Sequence, residues 1–282
     1  MKPANLLSIA AIASMAFFAS CKKSNDSATT SEEVETTFEL SGKQAVADNF
    51  NEDDNFVLLE TTAERGLQGG NFTADPSQAN IILSCATVTV TPQTGFPKTI
   101  TVDFGAGCAS NGVFRSGKMI IVLSDSLRIP GSTAVMTFNN YFVNSYKREG
   151  TNTWTNTSTG TTKSWQRKVE NGKVTAPDGS FWIHNSIKNV IQTEGVQTRL
   201  DPLDDVFLIT GGGSVSNSNG RTRNHTIIEA LRKKTICENI DKGRIRIDGP
   251  NHTAVLDFGN GVCDRIATIS IDGNPPRTIL LH

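Results

Sequence analysis

Residues 99–108 read TITVDFGAGC and residues 253–263 read TAVLDFGNGVC, and these two similar stretches decide the fold. In both, apolar and polar residues alternate up to an Asp-Phe-Gly-x-Gly turn that leads to a cysteine. Alternation with a period of two predicts a β-strand with one buried face, here the alternate residues of 100–104 and of 254–258. The glycines then turn the chain towards the cysteine. The sequence therefore contains an internal repeat of strands and turns.

Each copy of the repeat also begins with a cysteine, so that Cys85 and Cys108 bound the first copy and Cys237 and Cys263 bound the second. Four cysteines allow three pairings, and an even number outside the cytoplasm is typical of disulfides. Equivalent copies are most simply cross-linked in the same way, which predicts the disulfides Cys85–Cys108 and Cys237–Cys263. A zinc site is disfavoured because the chain lacks a Cys-x-x-Cys pair.

Turn signals recur between apolar runs along the rest of the chain. Asn171-Gly172 and Asn219-Gly220 each have the residue types that two-residue hairpin turns require. Met119–Leu123 is a continuous apolar run that suits a strand buried on both faces. We predict a mainly β protein, an antiparallel meander that forms either a sandwich or a partly open barrel, with one short N-terminal helix.

This fold class divides the chain into four parts. Residues 1–20 are a signal peptide, 21–37 a disordered tether, 38–79 an N-terminal helical segment, and 80–282 a β domain with related segments at 85–124 and 237–282. The tether is predicted from the polar and acidic composition that follows Cys21. The helix is predicted over 43–65 from the spacing of its apolar residues, as one amphipathic element that ends at Gly66.

The N-terminus carries a targeting signal. Lys2 and the apolar run at 6–19 fit a secretory signal, and the run is shorter than the roughly 20 residues of a membrane-spanning helix. Phe18-Ala19-Ser20-Cys21 resembles a bacterial lipobox, although Phe18 replaces the usual leucine. The resemblance implies cleavage before Cys21, a diacylglycerol thioether on its sulfur, and an acyl chain such as palmitate on its amine. We expect a lipoprotein held in the outer membrane by Cys21 that faces the periplasm or the cell surface.

Beyond the lipobox, the chain resembles a family of uncharacterised Gram-negative envelope lipoproteins. One motif comprises 99–108, 115–118 and 119–124, followed by TFNNY at 137–141, and the other is DFGNGVCD at 257–264. The likeness extends from about residue 80 to the end of the sequence. It implies a β architecture and carries no activity with it.

Composition and motifs limit the function. The formal net charge is -1, from 27 basic and 28 acidic residues, so no overall field favours nucleic acid. The four histidines show no metal-ligand spacing, and neither a phosphate-binding loop nor a Gly-x-Ser-x-Gly elbow is present. We therefore expect no cofactor and a non-enzymatic structural or ligand-binding module of the envelope. The alternative is an extracytoplasmic hydrolase that acts on a polymer such as a glycan.

Two groups of side chains are candidate sites. Trp154, Trp165 and Trp182 are all the tryptophans of the chain, and their faces can stack on the sugar rings of a glycan or pack within the core, which is the commoner use of aromatic residues. A partner protein of the envelope is a further hypothesis.

The acidic group Asp201, Asp204 and Asp205 is a candidate calcium site, because Ca²⁺ prefers carboxylate and carbonyl oxygens. Turn formation beside Pro202 is the simpler explanation. The same carboxylates are the only residues that we assign to the hydrolase alternative.

Overall fold

A computed structural model describes residues 25–68, 83–110, 112–198 and 202–281. Residues 1–20, Cys21 and Asp201 lie outside this part, as do residues 69–79 of the predicted helical segment. The described chain forms one long helix, two short 3-10 turns (Leu83–Cys85 and Pro202–Asp204) and 14 strands. The helix and strands are α1 Asn25–Glu64, β1 Thr87–Thr91, β2 Lys98–Asp103, β3 Cys108–Ser110, β4 Val113–Leu123, β5 Thr133–Val143, β6 Tyr146–Asn156, β7 Ser164–Thr175, β8 Phe181–Glu194, β9 Val206–Asn217, β10 Thr222–Lys234, β11 Lys242–Asp248, β12 Thr253–Asn260, β13 Ile266–Ile271 and β14 Arg277–Leu280.

All the strands belong to one antiparallel sheet. Each pairs with its neighbour in the chain, except that β2 pairs with β4 and the short β3 lies off this path, also against β4. The predicted meander is therefore confirmed. Of the two predicted arrangements the sandwich is not formed, because the strands of the described residues make a single sheet, and that sheet is not closed into a barrel.

The sheet curves around α1. Asp53 of the helix pairs with Arg115 on β4, and Asn49, four residues earlier, accepts a hydrogen bond from the backbone N–H of Ile240, just before β11. Strands β4 and β11 are seven steps apart in the sheet, a distance of about 34 Å if the sheet were flat. Four residues of a helix rise only about 6 Å. One helix can contact both strands only if the sheet bends over it, which gives the sheet an inner face towards α1 and an outer face towards solvent.

The strand 113–123 shows what a single curved sheet does to burial. Ile121 is completely buried, whereas its neighbour Val122 is 42% exposed. The prediction that Met119–Leu123 is buried on both faces is therefore wrong. No second layer covers the outer face of this strand within the described residues, so its apolar residues alternate between the core and solvent.

Both predicted disulfides and the predicted inward faces of two strands are confirmed. Disulfides join Cys85 to Cys108 and Cys237 to Cys263, with Cα–Cα distances of 5.7 and 5.2 Å. The strands 98–103 and 253–260 bury the predicted face, because the alternate residues from Ile100 and from Ala254 onwards point inwards.

The aspartates of the two Asp-Phe-Gly triplets make the same hydrogen bond, although the first triplet forms a turn at the end of β2 and the second lies within β12. In the first copy the backbone N–H of Gly105 donates to the carboxylate of Asp103 at 2.9 Å. In the second copy Gly259 donates to Asp257 at 2.8 Å. Both carboxylates also form an ion pair with a cation on the neighbouring strand, at 2.8 Å in each copy. The triplet therefore has a structural role in each copy, with the aspartate accepting the hydrogen bond of the glycine N–H.

One of the two Asn-Gly signals was misread. Asn219-Gly220 lies in the turn between β9 and β10, as predicted. Asn171-Gly172 lies instead within β7, where Asn171 has a φ of 52° and the pairing with β8 shifts register. A positive φ serves a β-bulge as well as a turn, and a bulge bends the strand that contains it. The actual β7–β8 turn contains Pro177, Asp178 and Gly179.

The helix is longer than predicted, and the disordered tether is wrong from residue 25 onwards. Helix α1 has 40 residues and begins at Asn25, and the acidic stretch that was assigned to the tether packs on the sheet. Glu33 accepts two hydrogen bonds from Asn251 at 2.8 Å, and buried Thr37 accepts one from Arg223 at 2.9 Å. The helix is also not amphipathic, because between Gln44 and Leu58 buried residues point in all directions. A polar helix stays folded here because the sheet supplies partners for its polar groups.

Candidate functional site

A short acidic stretch of α1 meets the basic residues of the inner face. Four carboxylates fall within residues 48–54, and successive helical residues point about 100° apart, so they fan out towards different strands. Each carboxylate pairs with a cation on another strand. The pairs are Asp48–Lys188 on β8, Glu52–Arg167 on β7 at 2.8 Å, Asp53–Arg115 on β4 and Asp54–Arg148 on β6 at 2.9 Å.

The Asp54–Arg148 pair is the most enclosed, since neither side chain is more than 1% exposed. Asn152 adds a hydrogen bond to the same carboxylate oxygen at 3.1 Å, and the guanidinium lies 5.0 Å from the centre of the Phe50 ring. Burial raises the pKa of Asp54 to about 7, against the opposing charge of Arg148. The other oxygen, Oδ1, has no hydrogen-bond partner within the described residues.

Two buried histidines lie near the Asp48–Lys188 pair. Burial lowers the pKa of His184 to about 3 and that of His225 to about 4, so both rings are neutral. None of their four ring nitrogens has a hydrogen-bond partner in the described part of the chain. Gly172 makes room for one of the rings, because a Cβ at that position would lie 2.6 Å from Nε2 of His184.

Beside the charge network, α1 and the inner face enclose a cavity of about 250 Å³, called here the inner cavity. Its aromatic wall is formed by Trp154 and Trp165, which stack with ring centroids 4.9 Å apart, and by Phe207, whose ring meets Trp165 edge-on at 5.9 Å. The exposed residues Ile236 and Glu238 mark its mouth. The remaining lining residues are Glu52, Asp53, Asn55, Phe56, Leu59, Val113, Arg115, Arg167, Val190, Lys233, Thr235 and Cys237.

The polar residues of the cavity wall carry hydrogen-bond donors that have no acceptor within the described chain. Several of them carry N–H groups that are buried and have no acceptor among the described residues. These groups are Arg115 Nη1, Arg167 Nε and Nη2, Trp154 Nε1 and Asn55 Nδ2. Buried polar groups are nearly always hydrogen-bonded, so an excess of one kind indicates where an absent partner would bind. All of these groups are donors, which favours a ligand with acceptor atoms.

Lys233 adds a further cation to the cavity wall. Its ammonium donates to the backbone carbonyls of Lys234, at 3.1 Å, and of Cys237, which fix its position. Burial lowers its pKa, while the nearby charges of Glu52 and Asp53 act in the opposite direction. No carboxylate of the described residues lies within ion-pair distance of it, unlike Arg115 and Arg167.

Of the predicted tryptophans, the structure brings two together. Trp154 and Trp165 line the inner cavity, whereas Trp182 packs elsewhere, 6.2 Å from the ring of Tyr146. Sequence reasoning missed Arg115, Arg167 and the helical carboxylates. A signal for Arg167 was present, because it stands two residues after Trp165 in an alternating strand and so shares its inward face.

Asp204 and Asp205 of the acidic group lie together beside Gly195, where a Cβ would be 2.7 Å from an Asp204 oxygen and 2.1 Å from an Asp205 oxygen. Asp204 accepts a hydrogen bond from Thr198 at 2.5 Å, and Asp205 accepts one from Gln192 at 2.7 Å. Neither residue lines the inner cavity. Among the described residues the only group of three potential metal ligands is Cys237, Asp241 and Cys263, and its two sulfurs form a disulfide. With Asp201 outside the described part, calcium binding and the hydrolase role of this group stay predictions.

No protein family, curated protein or solved structure matches this chain. Among the described helical residues, no stretch has the length and hydropathy needed to cross a membrane.

Proposed function

We propose that the protein is a lipid-anchored module of the cell envelope that binds a small ligand in the inner cavity without transforming it. The observation that carries the binding role is the cavity itself, in which an aromatic wall meets convergent, unpaired N–H groups. Ligand sites are typically concave and mostly apolar, with a few fixed polar groups that orient the ligand.

Two of the three carboxylates that line the cavity are held in ion pairs, which favours binding over catalysis. A general acid or base needs a carboxyl that is free to exchange its proton with the substrate. Glu52 and Asp53 are instead held by guanidinium groups, through a single contact at 2.8 Å for Glu52 and through both oxygens for Asp53. Such pairs orient the arginines and leave their remaining donors for a ligand.

The anchor rests on the lipobox at Cys21 and fixes an orientation. Helix α1 begins four residues after this cysteine, and a helix rises 1.5 Å per residue. Glu52 therefore lies about 40 Å along the helix axis from Asn25. In this proposal the N-terminal end of α1 faces the membrane and the cavity is held away from it.

The anchor is tested by growing cells with a labelled fatty acid. The wild-type protein should carry the label and fractionate with membranes, while Cys21→Ser should lose both properties. Label retained by the variant would contradict the proposed anchor.

Ligand binding is tested with the full-length protein purified from membranes and examined by native mass spectrometry, before and after incubation with a library of small metabolites. Val190 lines the cavity and is 3% exposed, whereas Ile191 is on the outer face and is 45% exposed. Val190→Phe should abolish ligand binding by filling the cavity, and the matched control Ile191→Phe should retain it. Binding that survives Val190→Phe would place the ligand elsewhere.

A further inference from the structure

We propose that the inner cavity is specific for a small monocarboxylate with a single ring. This inference rests on the proposed binding function and adds the chemical class of the ligand. Three properties of the cavity carry it, namely its volume, the shape of its aromatic wall and the pairing of charges among the residues around it.

The volume admits one ring and a short substituent. A dry cavity of about 150 Å³ accommodates a benzene molecule. The inner cavity, at about 250 Å³, is larger by roughly the space of a carboxymethyl group and smaller than most sites for drug-sized ligands. This volume matches a single ring, either a free molecule or the terminal ring of a longer chain.

The wall offers a flat surface beside a charged corner. Trp154 and Trp165 stack at an angle of 28°, so each ring covers one face of the other and the pair presents a remaining ring face or ring edges to the cavity. Trp154 stands directly opposite Arg167 in the pairing of β6 with β7. A ring that lies against the tryptophans would therefore direct its substituent towards the guanidinium of Arg167, which has unpaired donors at Nε and Nη2.

The pairing of charges leaves a place for one anion. The lining holds three cations, Arg115, Arg167 and Lys233, and three carboxylates, of which Asp53 and Glu52 pair with the two arginines. Glu238, the third carboxylate, is exposed at the mouth, and the Asp54–Arg148 pair lies outside the lining. Lys233 is the cation without a carboxylate partner among the described residues. A single carboxylate would neutralise it and accept hydrogen bonds from the free guanidinium donors.

Aromatic rings and sugar rings both present a flat apolar face to tryptophan. The probes therefore include both aromatic acids and sugar acids. Indole-3-acetate and phenylacetate represent aromatic acids, and glucuronate represents sugar acids. Each is compared with its neutral counterpart: indole-3-acetamide, phenylacetamide and glucose. Binding is measured by calorimetry on the full-length protein in lipid nanodiscs and by quenching of tryptophan fluorescence, with Trp182→Phe to remove the tryptophan outside the cavity.

At least one acid should bind about tenfold or more tightly than its neutral counterpart, because a hydrogen bond to a charged group is worth about 1.5–3 kcal/mol. Lys233→Gln and Arg167→Lys should each lower the affinity for that acid by about tenfold and leave the affinity for the neutral counterpart unchanged. Lys233→Arg, which keeps the positive charge, should retain part of the affinity that Lys233→Gln loses. Lys168→Gln is the matched control, because Lys168 follows Arg167 on the outer face of the same strand. Near-UV circular dichroism checks that each variant is folded. If Arg167→Lys does not fold, the result for Lys233→Gln alone decides the carboxylate specificity.

The results separate this inference from the function beneath it. If neutral compounds bind as tightly as acids, and Lys233→Gln changes nothing, the carboxylate specificity is wrong while the binding site stands. If no compound of either charge binds, and Val190→Phe has no effect on any ligand of the protein, both proposals are wrong.

Discussion

The two cross-linked copies and the enclosed part of α1 contribute different kinds of side chain to the interior of the same curved sheet. Each copy turns apolar residues inwards, such as Ile100 in the first and Leu256 in the second, both completely buried. Between Gln44 and Leu58 the helix brings Asp48, Glu52 and Asp54 into the same interior. The copies thus contribute mainly apolar side chains, whereas this part of the helix adds matched charges to apolar residues such as Phe50 and Leu58.

The difference matters because the two kinds of burial specify different things. Apolar burial stabilises roughly in proportion to area and tolerates small shifts of the partners. A buried ion pair contributes little net stability, but it is costly to leave half of it unpaired. We infer that the copies hold the sheet together, while the charged pairs fix the rotation and depth of α1 within it, and with them the walls of the inner cavity.

The largest effect is expected from breaking the Asp54–Arg148 pair. Arg148→Met leaves a buried carboxyl without its partner and should lower the free energy of unfolding by about 3–5 kcal/mol in urea titrations. The double variant Asp54→Leu/Arg148→Met removes both charges and should recover most of this loss.

The outer-face variant Lys168→Met is the control for this experiment and should change the unfolding free energy by less than about 0.5 kcal/mol. If the double variant were as unstable as Arg148→Met alone, the pair would be acting through its packing and not through its charges. The contrast between the two kinds of burial would then disappear.

The next effect is expected from removing the disulfides. They close loops of similar size, with sequence separations of 23 and 26. Loop-closure entropy predicts a loss of about 3 kcal/mol for Cys85→Ala/Cys108→Ala and a similar loss for Cys237→Ala/Cys263→Ala. Urea unfolding of both variants checks this equivalence. A difference of more than about 2 kcal/mol between them would show that the copies are not equivalent in energy, despite the similar size of their loops.

What was predictable from sequence follows the same division. The copies were predicted down to the inward face of residues 100–104 and both disulfides, because an alternating pattern and a repeat are local signals. The enclosed helix was not. Residues 51–54 read Asn-Glu-Asp-Asp, a composition that normally indicates solvent, and their partners Arg115, Arg148 and Arg167 lie far away in the sequence.

The cavity was half predictable for the same reason. Trp154 and Trp165 were named as candidate ligand-binding residues because tryptophan is conspicuous in any sequence. Only the pairing of β6 with β7 shows that Arg167 stands beside Trp154, and only the curvature of the sheet brings Lys233 to the opposite wall. Contacts of this kind depend on sheet closure around α1, which no short-range pattern reports.

The pH dependence of stability tests the buried titratable groups around α1. Between pH 7 and 5 they should change the free energy of unfolding by a net value of about 1–2 kcal/mol. In the unfolded chain His184 and His225 bind protons near pH 6.5, but in the folded protein they do so only near pH 3 and 4. Their contribution to stability is therefore present above pH 6.5 and is lost as the pH falls. Asp54, with a folded pKa of about 7 against 3.8 when unfolded, contributes stability at low pH that is lost as the pH rises through 7.

Since two histidines oppose one aspartate, the wild-type protein should become less stable from pH 7 to 5. The variant His184→Phe/His225→Phe keeps only the Asp54 contribution, and its unfolding free energy should rise over the same interval. Comparing the slopes, rather than the absolute stabilities, removes the cost of repacking the rings beside Gly172, Lys188 and Arg148. Parallel slopes for the two proteins would contradict the assignment of these buried groups.

The smallest effect is expected at the two Asp-Phe-Gly triplets. Asp103→Ala removes the acceptor for the Gly105 N–H, and Asp257→Ala removes the one for Gly259. Each should cost about 1 kcal/mol in urea unfolding, the usual value of a side chain that caps an exposed backbone group. The ion pairs of these aspartates add little because their partners are half-exposed, so Lys118→Met and Arg244→Met serve as controls with losses below about 0.5 kcal/mol. Equal losses in the aspartate variants and their cation controls would mean that the ion pair, and not the hydrogen bond to the glycine, is what the Asp-Phe-Gly triplet preserves.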